Sequence, residues 1–394
     1  MTQSADVLIV GGGVTGLSTA IHLAERGVDV VVLERHSIGS GQSGRAAGVL
    51  RGTVQHQTVA AMQLEGQEFF HSFESRFGTP LDVNQIGYLL IAPTHEREYV
   101  ERTAAVATQA GCALSRISAG EAVELQPGLN AEDDEVCLLY EPGAIYVDPM
   151  PATHAMLLAA KASGVTVIEG CEVGSVRVEH DRVTGVETSS GLFDAPDLLI
   201  ATSVWGQPQL AALGIDVPVA PHVAQMAFYH VPPASPFRLR RIIFDSRAGL
   251  YMRPEHDTQL FVGRKEINFV EKGGDRDPVD PDNYRQTATH SAVTEMSRNL
   301  NVTLPFMGDG FVHRTYACTY DLTPDEMPIL DRAPSIRGLY FAVGFSGGGF
   351  SSSPWVGRRM ASLIADTAPP DDLELFGLER FAQGELIQWN NTPT

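Results

Sequence analysis

Residues 7–10 are apolar without a break, and residues 28–33 are apolar except for Asp29. Between them, apolar side chains recur at helical spacing through Leu17, Ala20, Ile21, Leu23 and Ala24. Short unbroken apolar runs suit strands covered on both faces, and a 3.6-residue period suits a helix with one buried side. Residues 7–34 therefore predict a strand–helix–strand unit with parallel strands. Related patterns continue along the chain. Residues 57–77 and 96–111 predict amphipathic helices, 85–93 a strand, 151–163 a helix, and 164–179 a strand, a turn and a second strand. Residues 198–201 predict an apolar strand running into a polar turn at Thr202 and Ser203, then a helix. Residues 218–231 and 242–262 predict further strands, the latter with a hairpin, and 281–300 a helix. Residues 339–343 predict a last apolar strand, then a glycine-rich loop and a helix with Ser353 as N-cap and Pro354 as first residue.

The turn after the first strand reads Gly11-x-Gly13-x-x-Gly16, with Val14 and Thr15 beside the cofactor where the helical spacing of residues 15–27 begins. The first glycine permits a tight turn, the second lets a pyrophosphate approach the backbone, and the third lets the helix pack closely on the strand. The helix start offers unpaired N–H groups and a partial positive charge to phosphates. Glu34 ends the second strand, where its carboxylate can accept hydrogen bonds from both ribose hydroxyls and would repel a 2′-phosphate. This unit alone leaves FAD and NAD both open.

The second glycine loop favours FAD. Gly344, Gly347, Gly348 and Gly349 precede another helix start, whose N–H groups and dipole would stabilise negative charge on the pyrimidine end of a reduced flavin. Two glycine–helix ends at opposite ends of the chain suit a long cofactor gripped at its pyrophosphate and at its ring. Nucleotide-domain elements thus appear early, in the middle and late, with strand-rich insertions between them. The expectation is an α/β fold in which a Rossmann-like FAD-binding domain (residues 1–84, 140–215 and 310–394) is interleaved with a β-sheet-rich substrate domain (85–139 and 216–309).

Composition narrows the partners. The chain has 394 residues, 43% hydrophobic and 19% charged, with a net charge of −20. That balance argues against nucleic acid or an anionic membrane surface, which need clustered Lys and Arg. Cys112, Cys137, Cys171 and Cys318 have no paired spacing, which suggests reduced thiols and no zinc site. The histidines show no metal-ligand spacing, so no metal is expected. No apolar run reaches the roughly 20 residues of a membrane helix, and the first strand starts too early for a signal peptide, so a cytoplasmic location is expected. The oligomeric state stays open.

The segments VGGGVTGLSTAIHLAERGVDVVVLER, SGRAAGVLR, VDPMPATHAMLLAAKASGVTVIEGCEV, DLLIATSVWG, YMRPEHDTQLFVG, YDLTPDEMPILD and LYFAVGFSGGGFSSSPWVG follow one another in this order. Together they resemble the FAD-dependent D-amino-acid oxidase family, in its branch of sarcosine oxidase, glycine oxidase and dimethylglycine dehydrogenase. The resemblance implies flavin-dependent oxidation of the C–N bond of an amine or amino acid, with secondary or N-methyl amino acids favoured. Hydride would pass to flavin N5, the imine would be hydrolysed, and O2 or another acceptor would take the electrons. It also implies that the flavin ring lies between Arg45, Ala46, Ala47 and Gly48 on one side and Gly344, Phe345, Gly347, Gly348, Gly349, Phe350 and Ser351 on the other. Val173 would face the adenine and Thr202 the phosphates, with Arg35, Ser43 and Trp205 completing the cofactor contacts. Arg51 would pair with a substrate carboxylate, and Tyr251, Arg253 and Tyr320 would face the substrate.

The chain departs from the family pattern at three positions. Phe261 replaces a lysine credited with activating oxygen, Ser351 a lysine that helps hold the carboxylate, and Tyr320 an arginine used by glycine oxidases. Cys318 matches a cysteine that bonds covalently to flavin in some relatives and a small residue in others; the reading taken is a flavin held without that bond. Two alternatives remain. A 2-hydroxy-acid dehydrogenase would need a base, for which His222 and His313 qualify only by residue type. A flavoprotein subunit would pass its electrons to a partner.

Overall fold

The computed structural model describes residues 3–132, 135–264, 279–366 and 370–389. A six-stranded sheet carries the first of the sequence-derived units. Its order is Thr166–Ile168, Val30–Leu33, Val7–Val10, Asp197–Ile200, Leu339–Val343 and Ile329–Arg332. The first five run parallel and the last is antiparallel to its neighbour. Val7–Val10 and Val30–Leu33 are buried along their whole length, because both sheet faces are covered. The helix Val14–Ala24 packs on Gly349–Ala365, the helix that follows the last parallel strand. That approach needs Gly357, where a Cβ would lie 2.2 Å from the Ser18 hydroxyl oxygen. The two ends of the chain therefore meet at one place.

An eight-stranded sheet stands across from it, in the order Phe311–Leu322, Ala220–His230, Gln259–Arg264, Leu250–His256, Ile242–Asp245, Tyr88–Pro93, Val136–Glu141 and Ser115–Arg116. Phe311–Leu322 falls in the sequence segment expected to accompany the nucleotide strands; its pairing with Ala220–His230 sets it in this larger sheet. The period-2 alternation sorts the two faces. Ala227, Tyr229, Met252, Leu260 and Val262 pack with Met296 and Leu300 of the helix His290–Thr303. Ala224, Met226, Phe228, Phe261 and Cys318 cluster on the other face, against Tyr251, Tyr316 and Tyr320. Smaller sheets join Val49–Leu50 to Ile145–Val147 and Val83–Gln85, and Gln3–Ser4 to the meander Val173–Glu179, Arg182–Thr188, Gly191–Asp194.

Three sequence expectations are corrected. The helix expected over 281–300 starts only at His290, capped by the Thr289 hydroxyl, which accepts from Ala292 N–H at 3.2 Å. The helix expected over 57–77 divides into Gln57–His71 and Phe73–Phe77. Ser353 and Pro354 do not begin the last long helix, which starts at Gly349 with Gly348 as N-cap. Proline inside a helix leaves the carbonyl four residues back without its N–H donor. Here the Ser353 hydroxyl donates to that carbonyl, on Phe350, at 2.8 Å, so the helix passes through the proline.

Candidate active site

One cavity of about 920 Å³ runs between the sheets, from Glu34, Val173 and Trp205 at one end to Tyr88, Ile242 and Phe244 at the other. Gly11 turns the chain with φ +108°, and a Cβ on it would lie 2.4 Å from the Ala201 carbonyl oxygen. A Cβ on Gly16 would lie 2.0 Å from the Gly11 carbonyl oxygen, so the third glycine seats the helix on the turn. The helix start has no side-chain cap. Val14 N–H donates to the Ser43 hydroxyl at 3.0 Å, while the next two N–H groups lie in the first turn, where no intrahelical acceptor exists. Glu34 accepts from Gly12 N–H at 2.8 Å and from His36 N–H at 2.9 Å, which fixes its carboxylate across the turn with further lone pairs available.

Around that end, Cys171 N–H donates to the Glu34 carbonyl at 2.8 Å, which brings Val173 alongside. Thr202 donates its hydroxyl to Gln209 at 2.7 Å. Arg35 pairs with Asp282 at 2.7 Å, the Trp205 indole donates to the same carboxylate at 3.0 Å, and the Arg35 guanidinium sits 4.9 Å from the Trp205 ring centre. Arg35 and its Trp205 neighbour therefore form wall, with the cation already neutralised by Asp282.

The loop holding Arg45 is tied from behind. Arg45 donates to the carbonyls of Gly41, at 2.9 Å, and Ser40, and its own carbonyl accepts from the Tyr316 hydroxyl at 2.9 Å. Ala46 and Ala47 line the cavity, and Gly48, at φ +69°, presses on the Val147 carbonyl. Arg253 does not reach the cavity. It donates to the Ala47 carbonyl at 2.8 Å and pairs with Glu255 at 2.6 Å, so the substrate-facing role expected of it gives way to bracing the loop.

The second glycine loop is built on Asp321. Gly344 N–H donates to the buried Asp321 carboxylate at 2.9 Å. Burial raises the pKa of Asp321, opposed by the N–H groups of Phe345 and Gly344. Gly347 adopts φ +90°, and its missing Cβ leaves room for the Tyr320 ring at 3.0 Å. Gly348 provides no side-chain cap, so the first N–H groups of this helix also lack intrahelical partners. Gly347, Gly348, Gly349, Phe345, Phe350 and Ser351 line the cavity. Phe350 also stacks on Phe70, ring centres 5.6 Å apart, and Ser351 accepts from Gln63 at 2.8 Å.

Tyr251, Tyr320, Cys318 and Arg51 meet in the remaining wall. Tyr251 lies over Gly263, where a Cβ would fall 2.1 Å from its ring. Burial pushes the Tyr320 phenol well above its ordinary pKa, and its hydrogen bond with Tyr251 acts in the same direction. The Tyr320 hydroxyl thus stays protonated at working pH. His222 also lines the cavity, opposite Tyr320 in the strand register. His313 does not; it packs edge-on against His230 at 4.8 Å. Among the described residues four arginines and no lysine line the cavity. Arg35 is paired with Asp282, Arg264 with Glu295 at 3.2 Å, and Arg45 is turned onto carbonyls. Arg51 bonds to the Thr53 carbonyl and has no carboxylate partner among the described residues.

Several residues of the site carry no sequence motif. Glu141 is buried behind the Arg51 loop and accepts from Gly52 N–H at 2.8 Å, Thr53 N–H at 2.9 Å, the Thr53 hydroxyl and Gln67 at 3.0 Å. It raises the pKa of the neighbouring Cys112 thiol, after burial itself, to about 12. Glu141→Gln puts an amide N–H₂ among these donors. A loss of about 3 kcal/mol is expected, read as a lower denaturant midpoint, together with a raised KM as the Arg51 loop loosens. Tyr88, Tyr99, Gln42, Gln63 and Trp389 also line the cavity. Trp389 is held there by its indole bond to the Asp325 carbonyl at 3.0 Å.

Among the described residues no group of acidic, histidine and cysteine side chains could hold a metal, and no helix is long and apolar enough to cross a membrane. The four cysteines are buried and form no disulfide. The family profile described as "DAO: FAD dependent oxidoreductase" matches residues 6–363. The chain is similar to the sarcosine oxidase subunit beta of Rhizobium meliloti (strain 1021), at 29% identity over 390 residues, 97% of this chain and 89% of that one. It is also similar to the mitochondrial sarcosine dehydrogenase of Mus musculus, at 28% identity over 97% of this chain but only 42% of that protein. Among solved structures, L-proline dehydrogenase from P. horikoshii matches with a TM-score of 0.88 and 25% identity, over 98% of this chain and 100% of that one.

Proposed function

This chain belongs to the DAO family of FAD-dependent oxidoreductases, and on that premise we propose that it oxidises the C–N bond of a secondary or N-methyl amino acid to an imine. The supporting observation is the single cavity that joins both glycine–helix ends to Arg51, Tyr251 and Tyr320. The turn residues fit the cofactor: Gly11 and Gly16 let the turn and the helix start pack tightly on the backbone of Ala201 and Gly11, and neither helix start has an N-cap side chain. FAD, when bound, would supply the electron sink for hydride from the carbon next to the amine nitrogen. The helix start at Val14 and Thr15 would hold the pyrophosphate, and Glu34 the ribose. The N–H groups of the Gly348–Ser351 turn would stabilise negative charge on the reduced flavin ring. Arg51 binds the substrate carboxylate with its planar fork. Tyr251 and Tyr320 orient the amine, and a neutral amine needs no base.

Phe261 stands fully buried beside Phe228, with ring centres 5.5 Å apart. An apolar group at that place favours an acceptor other than O2. Cys318 lies in the same packed apolar cluster, and we take the flavin as unbonded to it, so acid precipitation should leave all the yellow colour in the supernatant. Reduced cysteines suit a cytoplasmic setting. A second reading, oxidation of a 2-hydroxy acid, draws support from His222 in the wall, where it would take a hydroxyl proton. Anaerobic mixing tests both: sarcosine, proline or pipecolate should bleach the flavin without any partner protein. Bleaching by hydroxy acids alone would replace the proposed reaction with the second reading.

A further inference from the structure

Residues 281–286 form one outer wall of the cavity. Pro281, Asp282, Tyr284 and Gln286 line it, while Asp282, Asn283, Arg285 and Gln286 are exposed to solvent. The segment is anchored at two separate places. At the Glu34 end, Asp282 accepts from Arg35 at 2.7 Å and from the Trp205 indole at 3.0 Å. At the other end the chain is tied to Phe311–Leu322, the edge strand that carries Cys318. The Gln286 carbonyl accepts from Ala317 N–H at 2.9 Å, and Ala288 N–H donates to the Thr315 hydroxyl at 3.3 Å. Thr289 N–H adds a bond to Gln225 at 2.7 Å. Among the described residues, Asn283, Tyr284 and Arg285 make no hydrogen bond beyond the local turn to Asp280. The two anchors differ in strength. Three bonds hold the far one, whereas the near one is a single carboxylate whose side chain is 53% exposed.

We propose that residues 281–286 are a strap through which FAD enters and leaves, latched by Asp282 on Arg35 and Trp205 and hinged at the Phe311–Leu322 edge. The proposal rests on FAD binding in this cavity and not on which substrate is oxidised. This wall is one length of chain with solvent on its outer side, so freeing Asp282 opens the cavity along Tyr284 and Gln286. The inward position of Tyr284 fits this: burial raises its phenol pKa, and the charge of Arg45, on the loop expected beside the flavin ring, opposes that. The hydrogen bond from Arg35 holds the Asp282 carboxyl below its usual range, so the latch stays ionised at neutral pH. An exposed ion pair is weak and is screened by salt, which suits a contact that must break and re-form.

Two rates test the strap. Mixing apoprotein with FAD gives the association rate from flavin fluorescence. Mixing holoprotein that carries radiolabelled FAD with excess unlabelled FAD gives the release rate. Asp282→Asn removes the charge and keeps an acceptor for the Trp205 indole, whereas Asp282→Ala removes both. Both rates should rise together, about tenfold in Asp282→Ala and less in Asp282→Asn, with Kd changed by no more than about twofold. A latch absent from both bound and free protein speeds passage in each direction and leaves the equilibrium alone. Added salt should also speed release from the wild type, and Asp282→Asn should lose most of that dependence. Unchanged rates in Asp282→Ala would overturn the proposal. So would faster release with unchanged association, which would make Asp282 a cofactor contact and not a latch. Release from the wild type that salt leaves unchanged would overturn it as well, and that measurement needs no variant. The proposed reaction is judged separately, because bleaching of bound flavin by an amine involves no exchange of cofactor.

Discussion

Gly11→Val is expected to give folded but colourless protein. Gly11 sits at φ +108°, and a Cβ there would lie 2.4 Å from the Ala201 carbonyl oxygen. A β-branched residue in that conformation is strained by about 1–3 kcal/mol, and the backbone contact forces the turn to shift as well. The shift falls on Gly13, Val14 and the helix start that would receive the pyrophosphate. Taken together, about 3 kcal/mol should be lost from cofactor binding, roughly a hundredfold in affinity. Flavin fluorescence titration of the apoprotein reads this directly. Gly27→Ala is the matched control, because Gly27 has φ +79° and a Cβ added to it would meet nothing within 4 Å. It should cost some stability and leave FAD binding intact.

Arg51→Gln should lower kcat/KM for amino acids by about a hundredfold or more while FAD content stays complete. Removing one partner of a desolvated charge pair costs about 2–5 kcal/mol, and among the described residues no other cation is placed to compensate. Arg264 and Arg35 are bound to Glu295 and Asp282, and Arg45 faces carbonyls at the far side of its loop. The loss should appear mainly in KM, because the carboxylate is bound alike before and during hydride transfer. Arg51→Lys should recover only part of it, since an ammonium lacks the two-pronged geometry. A fall in kcat with unchanged KM would place Arg51 at the reacting centre and not at the carboxylate.

Local signals carried the nucleotide half of the molecule. The apolar runs, the helical period and the glycines that need positive φ or close approach all lie within a few residues of one another, so their meaning does not depend on distant packing. The substrate half was less legible. Alternation along Tyr88–Pro93 separates Tyr88 from Leu89 but does not say which face meets the cavity, because that depends on how the sheet stands against the rest. Arg253 shares a face with Tyr251, yet the Ala47 carbonyl and Glu255 draw its side chain behind the wall. Glu141 gathers four donors from positions far apart in sequence, and no spacing announces that. The Ser353–Pro354 pair imitates a helix start. Only the Ser353 hydroxyl on the Phe350 carbonyl reveals why the helix instead begins at Gly349.

One elongated cofactor is expected to engage both ends of the chain at once. Titration of apoprotein with FAD, FMN and ADP, followed by flavin fluorescence and calorimetry, addresses it directly. One FAD per chain is expected, bound far more tightly than either FMN or ADP, because each fragment reaches only one of the two helix starts. Equal affinity for FAD and FMN would mean that the Gly11–Glu34 end takes no part, and failure to bind FAD at all would contradict the account altogether.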